Sequence, residues 1–238
     1  MTASVEAAGL AIGYGHRPVV RDIDLALAPG SLLVLIGTNG SGKSTLIKTL
    51  AGLIPPIAGA VRVLGAPPGT DPHRVAYLPQ HPVSTHTLPL RVRDVVMMGR
   101  YARVGLLRRL GDDDRSSVDS AMERTGITNL ATRSIRDLSG GQQQRTHLAQ
   151  VLARRSEVLL LDEPTAGLDI GGRAAVARLI AEERSRGVTV VLATHELSDA
   201  DDADLVMLLA QRVVALAPPS DALTDANLRA CFGFTQPH

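Results

Sequence analysis

The chain has 238 residues, 45% of them hydrophobic, which is enough to bury a full core and excludes a disordered chain or a small disulfide-stapled scaffold. Its 25 basic and 24 acidic residues leave a formal charge of +1, so no overall positive field exists to hold nucleic acid or anionic lipid by bulk attraction. A single cysteine, Cys231, forms no intrachain disulfide and fits a reducing compartment.

No apolar run reaches the roughly 18 residues of a membrane helix, since Leu205–Ala210 is followed at once by Gln211 and Arg212. Ala7–Tyr14 is apolar but follows Glu6 where a leader would carry positive charge, so it reads as a first strand. Leu10, Ile12 and Tyr14 alternate there, as do Ile23, Leu25 and Leu27 before the turn Ala28-Pro29-Gly30, the period of half-buried antiparallel strands.

Ser31–Ile36 is a continuous apolar run, the mark of a parallel strand buried on both faces. It leads into Gly37-Thr38-Asn39-Gly40-Ser41-Gly42-Lys43-Ser44-Thr45, which fits the phosphate-loop pattern, and then into a helix predicted over Lys43–Leu53. The glycines let backbone N–H groups close around phosphate, the helix start adds its partial positive charge, Lys43 reaches the β- and γ-phosphates, and Ser44 can ligate Mg²⁺. Lysine is scarce, with Lys43 and Lys48 set against 23 arginines, so few substitutes exist.

Between Gln80 and Leu138 the strand-type runs stop, and Arg91–Arg100 and Asp113–Thr125 are each spaced for one apolar helix face. This is a helical insertion over about 81–140, within a single domain spanning 1–238. Asp112–Asp114 read as an acidic helix start rather than as metal ligands. His81 and His86, which flank the loop after Gln80, read as solvated histidines.

Leu138-Ser139-Gly140-Gly141-Gln142 opens a helix predicted over Gly140–Arg155, with Ser139 as N-cap and two glycines exposing backbone. That is a second anion site, and with no second phosphate loop it makes sense if it serves the nucleotide of another copy of the chain. Val158–Leu161 is a buried strand ending in Asp162 and Glu163. The first carboxylate is placed to hold Mg²⁺ beside the phosphate loop, and the second to orient and deprotonate an attacking water. A helix over Arg173–Arg186, with Ala175, Val176, Leu179 and Ile180 on one face, and a further buried strand, Val188–Ala193, complete a strand-loop-helix repetition.

Taken in order, Gly37–Thr45, Gln80, Leu138–Gln142, Asp162-Glu163, Asp169 and His195 resemble the ATP-binding cassette proteins over nearly the whole chain, and Leu-Ser-Gly-Gly-Gln is that family's signature. The resemblance implies an α/β fold: a P-loop NTPase core with a mixed sheet, an N-terminal antiparallel β-subdomain and an inserted α-helical subdomain. It also implies a head-to-tail homodimer sandwiching two ATP with Mg²⁺, each between one chain's phosphate loop and the other's signature segment. Tyr14 would stack on adenine, Gln80 would touch Mg²⁺ and sense the γ-phosphate, Asp169 would cross the dimer interface, and His195 would contact the γ-phosphate.

Thr38 stands where the family often has proline, and Thr146-His147 where apolar residues are more usual. Leu90–Tyr101 with Gly105–Arg109 resembles the zinc and manganese importer ATPases, and the iron-chelate and cobalamin importers share Met98-Gly99-Arg100-Tyr101. The resemblance implies that this region docks on a separate membrane permease, with Arg100, Tyr101, Leu106 and Leu107 as an exposed patch. It further implies delivery by an extracytoplasmic binding protein, no nucleic-acid partner, and a cytoplasmic subunit peripheral on the inner face of the membrane. A soluble cassette ATPase without a transport role would share the same nucleotide residues.

Overall fold

The computed structural model describes residues 3–80, 90–104 and 110–233. His81, His86 and the segment Gly105–Arg109, including Leu106 and Leu107, lie outside the described residues.

Strands β1 (Val5–Tyr14) and β2 (Arg17–Leu27) form an antiparallel hairpin. Strand β3 (Leu32–Gly37) runs through the phosphate loop into helix α1 (Lys43–Leu50), and β4 (Ala58–Val63) returns to pair with β1, giving a three-stranded sheet in the order β2-β1-β4. After β5 (Val75–Leu78) come helices α2 (Val92–Val104), α3 (Asp112–Arg124) and α4 (Gly140–Ala153). Strand β6 (Val158–Asp162), helix α5 (Ile170–Ser185), strands β7 (Thr189–Thr194), β8 (Leu205–Leu209) and β9 (Val213–Ala217), and the short helices α6 (Pro219–Ala222) and α7 (Asp225–Phe232) follow.

The second sheet has six strands in the order β5-β6-β7-β3-β8-β9, parallel except where β9 pairs antiparallel with β8. Its central strands β3, β6 and β7 are buried on both faces, as their unbroken apolar runs require. Leu33 and Leu35 of β3 pack with α1 and the small sheet, while Val34 and Ile36 pack with the helices of the opposite layer. Because β3, β6 and β7 are parallel, their carboxyl ends open at one edge, and the loops leaving that edge carry the phosphate loop, Glu163 and His195.

Element ends depart from the sequence expectation for local reasons. Helix α1 stops at Leu50, since Gly52 adopts φ 73 and turns the chain. Helix α5 starts at Ile170, ahead of the expected Arg173, because the Asp169 side chain accepts from Gly172 N at 2.7 Å and caps it. The simple alternation expected in β1 is broken by register shifts between Ala7 and Gly13, which leave Ala11 buried beside Leu10 and Ile12 while Tyr14 is 53% exposed.

The reading of Arg100 as part of an exposed patch is corrected by the structure. Arg100 is 1% exposed, its Nε donates to Asp114 Oδ1 at 2.8 Å, and one terminal nitrogen donates to the Ala153 carbonyl at 3.0 Å. It binds the end of α4 to the start of α3, where a cation complements the carbonyls that a helix terminus leaves unpaired. The preceding Gly99 is needed for the same contact, since a Cβ there would stand 2.1 Å from the Gln150 carbonyl oxygen. Of the Met-Gly-Arg-Tyr segment, the middle two residues therefore serve packing, Met98 is exposed and Tyr101 is half-buried.

Truncating a charged side chain that is buried in an ion pair typically costs about 3–5 kcal/mol. Arg100→Ala is therefore expected to lower unfolding stability by that order in a urea titration. A surface arginine would shift the midpoint by almost nothing.

Candidate active site

The loop between β3 and α1 closes around a hollow of about 380 Å³ lined by Thr38–Thr45, Tyr14, Val19, Gln80 and Glu163. Gly42 is the N-cap of α1 and supplies no side-chain cap, so the first-turn amides of the helix have no side-chain acceptor. Glycine is required there: φ is 113, and a Cβ would stand 2.5 Å from Val20 Cγ2. Among the described residues, the hydroxyl of Ser41 in the same loop is buried without a hydrogen-bond partner.

Lys43 is buried, and its ammonium donates to the Gly37 carbonyl at 2.6 Å and the Thr38 carbonyl at 3.2 Å. Two of its three donors are thus spent inside the loop and one is left for a ligand. Burial pulls its pKa down, while Glu163 and Asp162 oppose the shift. Ser44 Oγ donates to Asp162 Oδ1 at 3.0 Å across the junction of α1 and β6. Burial also holds the Asp162 carboxyl above its ordinary range, against the pull of the Ser44 hydrogen bond.

Glu163 follows directly, with φ 52 in the left-handed region and its N–H donating to the Ala193 carbonyl at 2.9 Å. His195 leaves the end of β7 with Nδ1 3.4 Å from Glu163 Oε2. The turn bearing His195 is fixed by residues that sequence reasoning missed. Thr194 Oγ1 donates to Asp199 Oδ2 at 2.6 Å and accepts from Glu196 N at 3.1 Å, and Arg173 donates to Glu196 Oε1 at 2.7 Å. Only the polar run after the strand pointed to them.

The remaining candidates lie elsewhere. Ser139, Gly140, Gly141 and Asp169 line a separate hollow of about 820 Å³, together with Arg145 and Arg178. Ser139 Oγ accepts from Gln142 N at 3.3 Å and Gln142 Oε1 accepts from Ser139 N at 3.0 Å, a reciprocal capping box that engages the Gln142 side chain. The signal for it was the Ser-x-x-Gln spacing. Gln144, two residues further on, is buried and donates to the Pro164 carbonyl at 3.0 Å, a contact with no sequence signature. Among the described residues, no group of three or more His, Cys, Asp or Glu side chains is arranged to hold a metal ion.

A phosphate loop at the carboxyl edge of a twisted α/β sheet, with a buried lysine and two adjacent carboxylates, defines a P-loop nucleotide-binding protein. The family model for ABC transporters matches residues 20–166. The manganese transport system ATP-binding protein MntB of Bacillus subtilis is 38% identical over 96% of this chain and 92% of its own length. The zinc transport system ATP-binding protein TroB of Treponema pallidum is 36% identical over 97% of this chain and 87% of its own. A solved structure described as a metal-chelate type ABC transporter in an inward-facing conformation superposes with a TM-score of 0.85 at 29% identity, covering 98% of this chain and 90% of that one. The chain belongs to the ABC transporter family, and it is an ATPase of that family.

The raised pKa of Asp162 has a consequence for stability. The folded chain binds this proton at higher pH than the unfolded chain, whose carboxyl titrates near 3.8, so stability from this group falls as pH rises from 3.8 through the raised folded value. Above that window the penalty is complete. Asp162→Asn is therefore expected to melt at a higher temperature than the unmutated chain at pH 7 in EDTA, with the gap closing below pH 3.8. Equal melting temperatures at pH 7 would show that the buried carboxylate carries no net cost.

Proposed function

We propose that the chain is the ATP-binding and hydrolysing subunit of an importer for a divalent metal ion, zinc or manganese, working on a separate membrane permease. The cargo reading rests on the manganese and zinc relatives, which match nearly the whole chain, and on the Leu90–Tyr101 segment. Similarity to the metal-chelate transporter supports a second reading, in which the cargo is a chelate. Among the described residues no helix is long and apolar enough to cross a membrane, which is compatible with a peripheral subunit on the inner face that leaves the pore, and capture by an extracytoplasmic binding protein, to other chains.

ATP fits the phosphate loop through the uncapped amides of α1, the partnerless Ser41 hydroxyl and the free donor of Lys43. Tyr14, exposed at the mouth of the same hollow, would offer its ring to the adenine. Ser44 and Asp162, with Gln80 lining the same hollow, would hold Mg²⁺, which would neutralise charge on the phosphates. Glu163 orients and deprotonates the attacking water, and His195 beside it lends a hydrogen bond to the γ-phosphate.

The observation that carries the dimer reading is the separation of the two hollows. Ser139–Gly141 present a second helix start that none of the chain's own phosphate-loop residues line. A second copy set head to tail would bring them together, with Asp169 beside the junction, and enclose two ATP. Met98, exposed beside a groove that runs along Tyr77, Leu78 and Pro79, the residue before Gln80, would face the permease.

Lys43→Ala removes charge-assisted contacts worth about 1.5–3 kcal/mol each, and Lys48 lies more than a turn away. Ser139→Arg blocks the other half. Neither chain alone is expected to hydrolyse ATP, while a mixture is expected to regain hydrolysis from heterodimers holding one intact composite site. A mixture no more active than either parent would contradict shared sites.

The cargo is tested by growth. Deleting the gene is expected to arrest cells under zinc or manganese limitation, with rescue by whichever free ion is the cargo. Loss of metal-chelate uptake in the deletion strain, with uptake of both free ions unchanged, would favour the second reading.

A further inference from the structure

Glu163 is held in the left-handed region at φ 52, where a side-chain-bearing residue stays only if its surroundings fix it. The next residue, Pro164, disfavours a return to the right-handed helical region at Glu163 and locks its own φ. Two of the bonds that fix the turn are backbone contacts: Glu163 N to the Ala193 carbonyl at 2.9 Å, and Ala166 N to the Glu163 carbonyl at 3.2 Å. The third is a side-chain contact from the helical layer. Gln144 on α4, only 9% exposed, donates its Nε2 to the Pro164 carbonyl at 3.0 Å.

Because the Pro164 ring cannot absorb rotation about φ, a displacement of its carbonyl passes back to ψ of Glu163 and so to the direction of the carboxylate. The helix that carries Gln144 is also the one that starts with Ser139, Gly140 and Gly141. Gly141 lies so close to Leu168 that a Cβ would stand 3.3 Å from Leu168 Cδ2, so the start of α4 and the segment after Glu163 are packed together as well as hydrogen-bonded.

We propose that Gln144 is a positioning residue for hydrolysis: through the Pro164 carbonyl it sets the direction of the Glu163 carboxylate and makes that direction answer to what binds at the start of α4. The inference rests on the reading of Glu163 as the base that activates water. It assigns Gln144 no contact with nucleotide, so the residue acts on the rate of the chemical step and leaves affinity alone.

The test uses the full chain. Gln144→Leu, close in shape but without the donor, is expected to lower kcat at least tenfold while the ATP concentration for half-saturation stays within twofold. Gln144→Asn, one methylene shorter, is expected to act in the same direction and covers the case in which the leucine variant fails to fold. In a Glu163→Gln background, adding Gln144→Leu or Gln144→Asn is expected to change the residual single-turnover rate by less than twofold, because the group being positioned is gone. A folded variant with kcat within twofold of the unmutated chain overturns the inference, as does a parallel loss of ATP affinity or a multiplication of the two losses. Normal turnover in Glu163→Gln alone sinks the general-base reading instead, which separates the two failures.

Discussion

Helix α1 begins with a glycine N-cap and points its unpaired amides into a hollow that also holds a buried ammonium, and the arrangement of the surrounding sheet depends on this. Positive character concentrated at one helix start is stable only beside counter-charge or a ligand, and the neighbouring strands supply both possibilities. The order β6-β7-β3 sets the end of β6, with Asp162 and Glu163, and the end of β7, with His195, along the edge where β3 ends. Burial then acts in opposite senses on the charged groups, lowering the Lys43 pKa and raising that of Asp162. Shifts of this kind are common at sites that bind charged ligands.

The helical layer is held to this core by polar contacts as much as by apolar ones. Arg100 joins α2 to Asp114 on α3 and to the last carbonyls of α4, while Gly99 lets α2 approach α4 closely. Arg124 does similar work lower down, reaching Glu182 and Glu183 of α5 at 3.0 and 2.7 Å. These contacts tie α2 to the start of α3 and the end of α4, and α3 to α5. With Gln144 tying α4 to the turn after Glu163, a connected set of contacts runs from the helical layer to the proposed base.

Under the head-to-tail reading proposed above, each site would be completed by a second copy of the chain. Ser139 and Gln142 satisfy each other in a capping box, and Asp169 caps α5, so their side chains are already committed. What the start of α4 has left to offer is backbone, exposed by Gly140 and Gly141. That suits phosphate recognition from a second copy, in which the ligand is bound by amides and the dipole of a helix rather than by a charged side chain.

The local structure around these motifs was legible in the sequence because it is written in contiguous residues. The glycine spacing of Gly37–Thr45 after a buried run, Ser139 before two glycines, and a strand ending in Asp162-Glu163 each state their own local structure, and the apolar periods divide the chain into its helical and strand parts. The helix ends were less legible because Asp169 and Gly52 decide them through a single side chain or backbone turn. Burial of a charged residue was not legible at all. An arginine in an amphipathic segment reads as exposed, and only the packing of α2, α3 and α4 decided that Arg100 is enclosed, because its partners Asp114 and Ala153 come from two other helices. The same holds for Gln144 and for the left-handed backbone of Glu163: both depend on the Pro164 carbonyl and the Ala193 carbonyl arriving from separate elements, and no run of residues along the chain records that meeting.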